Sequence, residues 1–220
     1  MLRISKVSKL DGINSWSLQA RETCPGSLDA EGKLVDACAG CYAAFGQYLY
    51  SNVKEPRAEN KEDWKESDWE DRMVQKLTKM KYFRWFDSGD CYTLSLAKKM
   101  LNVMKRTPDT KHWLPTRMYK FAKFVSVFNE MNALPNVKVR FSSDSIMGEF
   151  VSNLHGSTIL PDDNAIPEGV EVCNAYKNEG KCSGCRKCWD KEVAVIGYVA
   201  HGRVMKSKVN KKRIRLNLVA

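Results

Sequence analysis

A chain of 220 residues that is 43% hydrophobic and holds six tryptophans can build one sizeable core, which excludes a disordered polypeptide. Its formal charge of +10 favours anionic partners. The longest apolar run, Val193 to Ala200, is too short to cross a bilayer, and the start Met1-Leu-Arg-Ile-Ser-Lys lacks the apolar stretch of a secretory leader. The expectation is no membrane and a reducing cytoplasm, where clustered thiols bind metal before they form disulfides.

From the N-terminus, Leu2, Ile4 and Val7 alternate and predict a short strand ahead of the first cysteines. Cys24 to Cys41 is broken by Pro25, Gly26, Gly32 and Gly40 and reads as a loop. Tyr42 to about Val53 reads as a helix whose first N–H groups would face anionic thiolates. Trp69, Met73, Leu77 and Met80 share a face, so Lys61 to Met80 reads as an amphipathic helix. Tyr82 to Phe86 predicts a strand that ends in the polar turn Asp87-Ser-Gly-Asp90, and Thr93 to Arg106 a helix closed by Pro108. His112 to Arg117 follows as a short strand. Met118 to Leu134 is a helix with Phe121, Phe124, Val125 and Phe128 on its core stripe. Val137 to Phe141 is a strand running into Ser142–Ser145, residues 155–170 read as loop, and Val193 to Val199 is the last strand. Alternating strands and helices predict an α/β fold with a parallel sheet, helices outside it, and functional groups at the C-terminal strand ends. The expected organisation is an α/β body over 1–170, a cysteine-rich metal-binding segment over 171–192, and a final strand with a basic tail over 193–220.

Seven of the eight cysteines fall in two groups, Cys24, Cys38 and Cys41 near the start and Cys173, Cys182, Cys185 and Cys188 near the end. Cys182-x2-Cys185-x2-Cys188 has the spacing of ferredoxin cluster loops, whereas structural zinc more often uses two separated Cys-x2-Cys knuckles. The second group supplies four ligands, enough to close a 4Fe-4S or a zinc site, and Trp189 is placed to shield it. Three readings stand for the first group: a cluster with one iron left open, closure by Cys91, or a single site interleaving both groups. Cys91 alone reads more simply as a small buried hydrophobe.

Other constellations carry less. His112, His155 and His201 are scattered and read as ordinary histidines, and no glycine-rich phosphate loop occurs. Asp87 and Asp90 form a carboxylate pair that would suit a divalent metal in a nuclease. Arg84, Lys111 and Arg117 alternate with Trp85, Trp113 and Tyr119, which fits base stacking or, equally, a core edged by arginines. Nothing acidic follows Glu192, while His201 to Ala220 holds seven Lys or Arg, so DNA or RNA is a reasonable partner, the alternative being simply a solvated basic tail.

Cys24…Cys38-x2-Cys41-Tyr42-Ala43, Arg84-Trp-Phe-Asp-Ser-Gly-Asp90 and Cys182-x2-Cys185-x2-Cys188-Trp189 together resemble phage gene product 88-type proteins. The layout is also similar to radical S-adenosylmethionine enzymes, which are partial (β/α) barrels. There, three cysteines after the first strand hold a 4Fe-4S cluster whose fourth iron binds S-adenosylmethionine. The resemblance implies a partial (β/α) barrel, Cys24, Cys38 and Cys41 as ligands, and Ser88, Gly89 and Asp90 as the turn that contacts the cofactor. It also implies one or two clusters and the host cytoplasm as location. Here thirteen residues separate the first two cysteines, where those enzymes usually have three. The rival reading is a non-catalytic module, stapled by iron–sulfur or zinc, that holds DNA, RNA or a host protein.

Overall fold

The computed structural model describes residues 1–219. Strands β1 (Ile4–Val7) and β2 (Ile13–Trp16) form an antiparallel hairpin. A long excursion follows, with the first cysteines, the single-turn helix α1 (Asp36–Ala39), α2 (Ser51–Asp63) and α3 (Trp69–Leu77). Then come β3 (Tyr82–Trp85), α4 (Leu94–Lys105), β4 (Lys111–Thr116), α5 (Val125–Ala133) and β5 (Val137–Ser142). The remaining elements are β6 (Gly156–Leu160), β7 (Val170–Cys173), β8 (Val195–Val199) and α6 (Arg203–Val219). The eight strands form one sheet in the order β1-β2-β3-β4-β5-β6-β8-β7. Every pairing after the hairpin is parallel, and the sheet is not closed. The expected α/β class with a mostly parallel sheet is therefore present.

The two faces of the sheet are covered differently. One buries Trp16, Phe83, Trp85, Leu114, Val137 and Val139 against apolar residues of α3, α4 and α5. Fully burying each such side chain contributes about 1.5–3 kcal/mol. Strict alternation along Tyr82-Phe83-Arg84-Trp85 assigns Phe83 and Trp85 to this face. On the other face Tyr82, Trp113 and Tyr198 pack under the cysteine-rich segment, with Cys182, Cys188 and Trp189. That segment is clamped by Trp189, whose indole N–H donates to the Phe83 carbonyl at 2.8 Å. It connects β7 to β8 and lies against the same sheet as the body.

Several boundaries differ from the sequence expectation. The stretch Lys61 to Met80 is two helices, broken after Asp63, and only α3 carries the Trp69/Met73/Leu77 stripe. Tyr42 to Leu49 makes two short 3-10 turns before α2 begins. The segment read as a helix from Met118 also opens with two 3-10 turns. Pro115 sits inside β4, yet the pairing of β4 with β3 stops at Trp113, so its missing N–H interrupts no ladder on that side. β2, β6 and β7 arise where no strand was read, and the basic tail is the helix α6. No helix is long and apolar enough to cross a membrane.

Candidate metal centre

The first cysteine loop leaves the C-terminal end of β2 and is pinned to the ends of the next three strands. Leu18 N–H donates to the Ser88 carbonyl at 3.0 Å, and Asp90 N–H donates to the Thr23 carbonyl at 3.0 Å, which fixes it beside β3. A side chain at Gly26 would meet the Arg117 carbonyl at 2.6 Å, so the loop crosses β4's end in close backbone contact. Ala37 N–H donates to the Asp144 carbonyl at 3.0 Å and ties α1 to the end of β5. Cys38 lies in α1, and Cys41 N–H closes the next turn on the Cys38 carbonyl at 3.1 Å. Cys24, Cys38 and Cys41 are free, half-buried thiols.

These three thiols share one electrostatic neighbourhood. Burial pushes Cys24 up to about 12, and the charges of Asp90, Cys38 and Cys41 add to the shift. Burial also raises Cys38, while the Arg117 guanidinium pulls the other way. Ligation needs the thiolate, so a metal bound here must displace protons. The Arg117 guanidinium is held in place beside them, its Nη2 donating to the Ser143 carbonyl at 2.7 Å and its Nε lying 3.3 Å from Asp144.

The Ser88-Gly89-Asp90 turn stands next to the loop, and its polar atoms are engaged by protein. Ser88 Oγ donates to the Leu18 carbonyl at 2.6 Å. Gly89 has φ +79°, and a Cβ there would lie 2.6 Å from Leu18 and 2.7 Å from the Thr23 hydroxyl, so only glycine fits. Asp90 Oδ1 accepts from Thr116 Oγ1 and Cys91 N–H, both at 2.7 Å, and Oδ2 accepts from Arg117 N–H at 2.9 Å. Burial raises its pKa, and those donors oppose the rise. Asp87 belongs to a different network, accepting from Arg84 at 2.9 Å and from Tyr48 at 2.6 Å. The two carboxylates therefore have separate partners, and Cys91 lies in the core with its thiol 4.0 Å from the Thr93 carbonyl.

The second group forms its own neighbourhood on the sheet face opposite the helices. Cys173 ends β7, and Cys182 N–H donates to the Lys9 carbonyl at 2.9 Å. Asp11 accepts from the N–H groups of Ser183 and Gly184 at 3.1 and 2.9 Å, which folds the turn carrying Cys185. Cys188 is buried with Sγ 3.5 Å from the Tyr198 hydroxyl, while Cys185 is exposed. Burial raises Cys182 to about 11, with Cys188 and Cys173 as the next causes. Among the described residues no three His, Cys, Asp or Glu side chains are already set as a metal site. The donor chemistry nonetheless fits a thiophilic metal in both groups, because thiols within each group act on one another's charge and none is spent on a disulfide.

Sequence reasoning missed the charges around the second group. Lys138 and Arg140 are both fully buried in β5. Arg140 donates to the carbonyls of Lys187, Cys188, Asp190, Ala194 and Gly156 at 2.9 to 3.4 Å. Lys138 donates to the carbonyls of Leu154 and Lys191, and burial together with Arg140 and Lys191 pulls it down to about 8. Both cations have their hydrogen bonds but no carboxylate partner among the described residues. An anionic thiolate centre at Cys188 would supply the missing counter-charge.

Helix α6 folds back over the first loop. Met205 and Val209 pack with Ala37 and Ile146, and the Met205 methyl lies 3.1 Å from where a Cβ on Gly40 would be. Lys212 pairs with Asp36 at 2.8 Å, and Arg213 pairs with Asp162. Arg203, Lys206, Lys211 and Arg215 are exposed and have no ion pair among the described residues. The Arg/Trp alternation is core: Trp85 is buried, and Arg84 stacks 4.7 Å over Trp113. His112 is buried, with Nε2 2.9 Å from Thr107 Oγ1 and Nδ1 accepting from Trp85 at 3.3 Å. Burial lowers it to about 3, so it stays neutral at ordinary pH.

No curated protein and no solved structure matches the chain. A family model described as gene product 88 matches residues 3–191, a span that contains both cysteine groups and every strand up to β7 and stops short of β8 and α6. The chain therefore belongs to the gene product 88 family of phage proteins.

Proposed function

We propose that this is an iron–sulfur protein in which Cys24, Cys38 and Cys41 hold a 4Fe-4S cluster at the C-terminal edge of the sheet. The observation that supports the reading is that three free thiols lie on one loop whose backbone is tied to the ends of β3, β4 and β5, and that the charges of Cys38 and Cys41 act on Cys24. The sequential order from β2 to β6 supports a barrel-like winding of the radical S-adenosylmethionine kind. When bound, such a cluster supplies one-electron chemistry and, with three protein ligands, an iron open to a cofactor such as S-adenosylmethionine. The chain's own residues have defined parts around it. Arg117 offsets thiolate charge, Gly89 and Asp90 brace the loop against β3 and β4, and Met205 and Val209 lay α6 across it. Cys173, Cys182, Cys185 and Cys188 make a second thiolate site that staples the 174–192 segment to the sheet.

Anaerobic purification followed by iron, sulfide and zinc analysis and an absorption spectrum tests this directly. Iron with matching sulfide and a broad visible shoulder is the expected result. Zinc alone would replace it with the stapled-module reading, and no metal at all would overturn both.

That second reading is favoured by the exposed cationic face of α6. In it the metal is structural, and Lys206, Lys211 and Arg215 grip the phosphate backbone of DNA or RNA from the host cytoplasm or the phage. Affinity would then fall steeply with salt.

A further inference from the structure

A cavity of about 350 Å³ opens between the β1–β2 hairpin and the first two turns of α2, away from both cysteine groups. Its volume lies at the lower end of small-ligand clefts. Its walls include Lys6, Ser15, Ser17, Tyr48, Asn52 and Arg57. Arg57 is only 9% exposed and stacks its guanidinium 4.7 Å over the Tyr48 ring. Its Nη1 is buried and has no hydrogen-bond partner among the described residues. A buried guanidinium N–H without an acceptor is costly, by about 1–3 kcal/mol or more for a charged group, so the Arg57 charge at this wall is left without compensation from the protein.

The other charged groups at the cavity are already committed. Asp87 accepts from Arg84 and Tyr48, and Arg3 pairs with Glu59 at 2.6 Å. Lys6 has no ion pair among the described residues, so the cavity keeps an excess of two cations, Lys6 and Arg57. Helix α2 enters the wall with no side-chain cap at its N-terminus and no acid in its first turn. The unpaired N–H groups and positive end of its dipole therefore act in the same direction as Lys6 and Arg57. Ser15 and Ser17 lie 3.2 Å apart, and both accept the Asp87 N–H, which leaves a hydroxyl proton to donate into the cavity.

We propose that this cavity is a binding site for a small phosphate-bearing molecule, with the phosphate facing Arg57, Lys6 and the N-terminus of α2. Two cations and a helix terminus match a doubly charged phosphate better than a single carboxylate. The volume suits a phosphorylated metabolite or mononucleotide. The site goes beyond the metal reading and does not depend on it. Tyr48 does join the two regions, because it carries Arg57 on its ring and shares Asp87 with Tyr42, the neighbour of Cys41.

Calorimetric titration of the full-length protein with pyrophosphate and with adenosine monophosphate at fixed ionic strength, with acetate as the carboxylate arm, tests the site. Saturable binding of a phosphate probe is expected, at least ten-fold weaker in Arg57→Gln, several-fold weaker in Lys6→Gln and unchanged in Lys211→Gln on α6. Should Arg57→Gln fail to fold, the exposed Lys6 variant decides alone. Absence of saturable binding, acetate binding as tightly as pyrophosphate, full affinity in Lys6→Gln, or an equal loss in Lys211→Gln would each overturn the assignment. Repeating the titration on Cys24→Ser separates the two proposals, since the phosphate site predicts retained binding whether or not metal is lost.

Discussion

Replacing Arg140 with methionine removes a guanidinium that holds five backbone carbonyls, three of them in the Lys187–Asp190 stretch that carries Cys188. The methionine fills much of the same volume, so packing changes little and the polar loss dominates. Five carbonyls would lose a donor on the buried side of the sheet; those of Lys187 and Ala194 keep the N–H groups of Asp190 and Gly156, and each carbonyl left unsatisfied costs about 1–3 kcal/mol before relaxation and water entry. Removing a buried cation also relieves its desolvation, which offsets part of that sum. A net destabilisation of about 3–5 kcal/mol is expected. Urea unfolding of wild type and Arg140→Met, followed by tryptophan fluorescence, measures it. The same variant should speed alkylation of Cys188, because the segment that buries it loses its clamp, while Cys24 reacts as before. A loss under about 1 kcal/mol, or unchanged Cys188 protection, would refute the claim that Arg140 organises the second cysteine segment.

Gly89→Ala combines a left-handed backbone with a 2.6 Å approach to Leu18, so it should cost about 2–4 kcal/mol by urea unfolding and loosen the first cysteine loop with it. His112 makes stability depend on acid. Its folded pKa is lowered to about 3 from 6.5, so the unfolded chain binds the extra proton and stability is lost as pH falls from 6.5 toward 3. The loss reaches roughly 5 kcal/mol at most, at about 1.36 kcal/mol per pH step. Denaturation midpoints over that range should fall steeply for wild type and more gently for His112→Phe. Lys211→Gln and Arg215→Gln should each lower the salt slope of DNA binding by about 1 without changing metal content; an unaltered slope would remove α6 from the interface.

What the sequence disclosed follows from where burial is one-sided. β3 announced itself because Phe83 and Trp85 alternate with half-buried neighbours, and α4 because Leu101 and Met104 share a face with Ala97. β2 was hidden because Ile13-Asn-Ser-Trp16 has little apolar pattern, its register being set by pairing with β1 and β3. β6 lies in a Gly, Pro and Asp-rich stretch, and its serine and threonine are buried by parallel neighbours on both sides. α6 read as a solvated tail because its basic residues outnumber the two that anchor it, Met205 and Val209, which are one helical turn apart. The cysteine spacing marked two groups, and in the structure the charges of Cys38 and Cys41 act on Cys24 while those of Cys188 and Cys173 act on Cys182. Nothing local indicated that Lys138 and Arg140 would be buried, since an alternating Val-Lys-Val-Arg strand ordinarily points its cations at water. The Asp90 contacts were equally invisible, because Thr116 and Arg117 come from the next strand end, 26 and 27 residues away.

Whether Cys24, Cys38 and Cys41 together hold iron is decided by iron and sulfide stoichiometry in anaerobically purified wild type, Cys24→Ser and Cys182→Ser. If both groups carry clusters, wild type should hold about eight irons per chain and each variant should lose about four, independently of the other. If the second group takes zinc, only Cys24→Ser should lose iron. A wild-type protein that is colourless when made without oxygen, or a Cys24→Ser variant with undiminished iron, would contradict the cluster assignment.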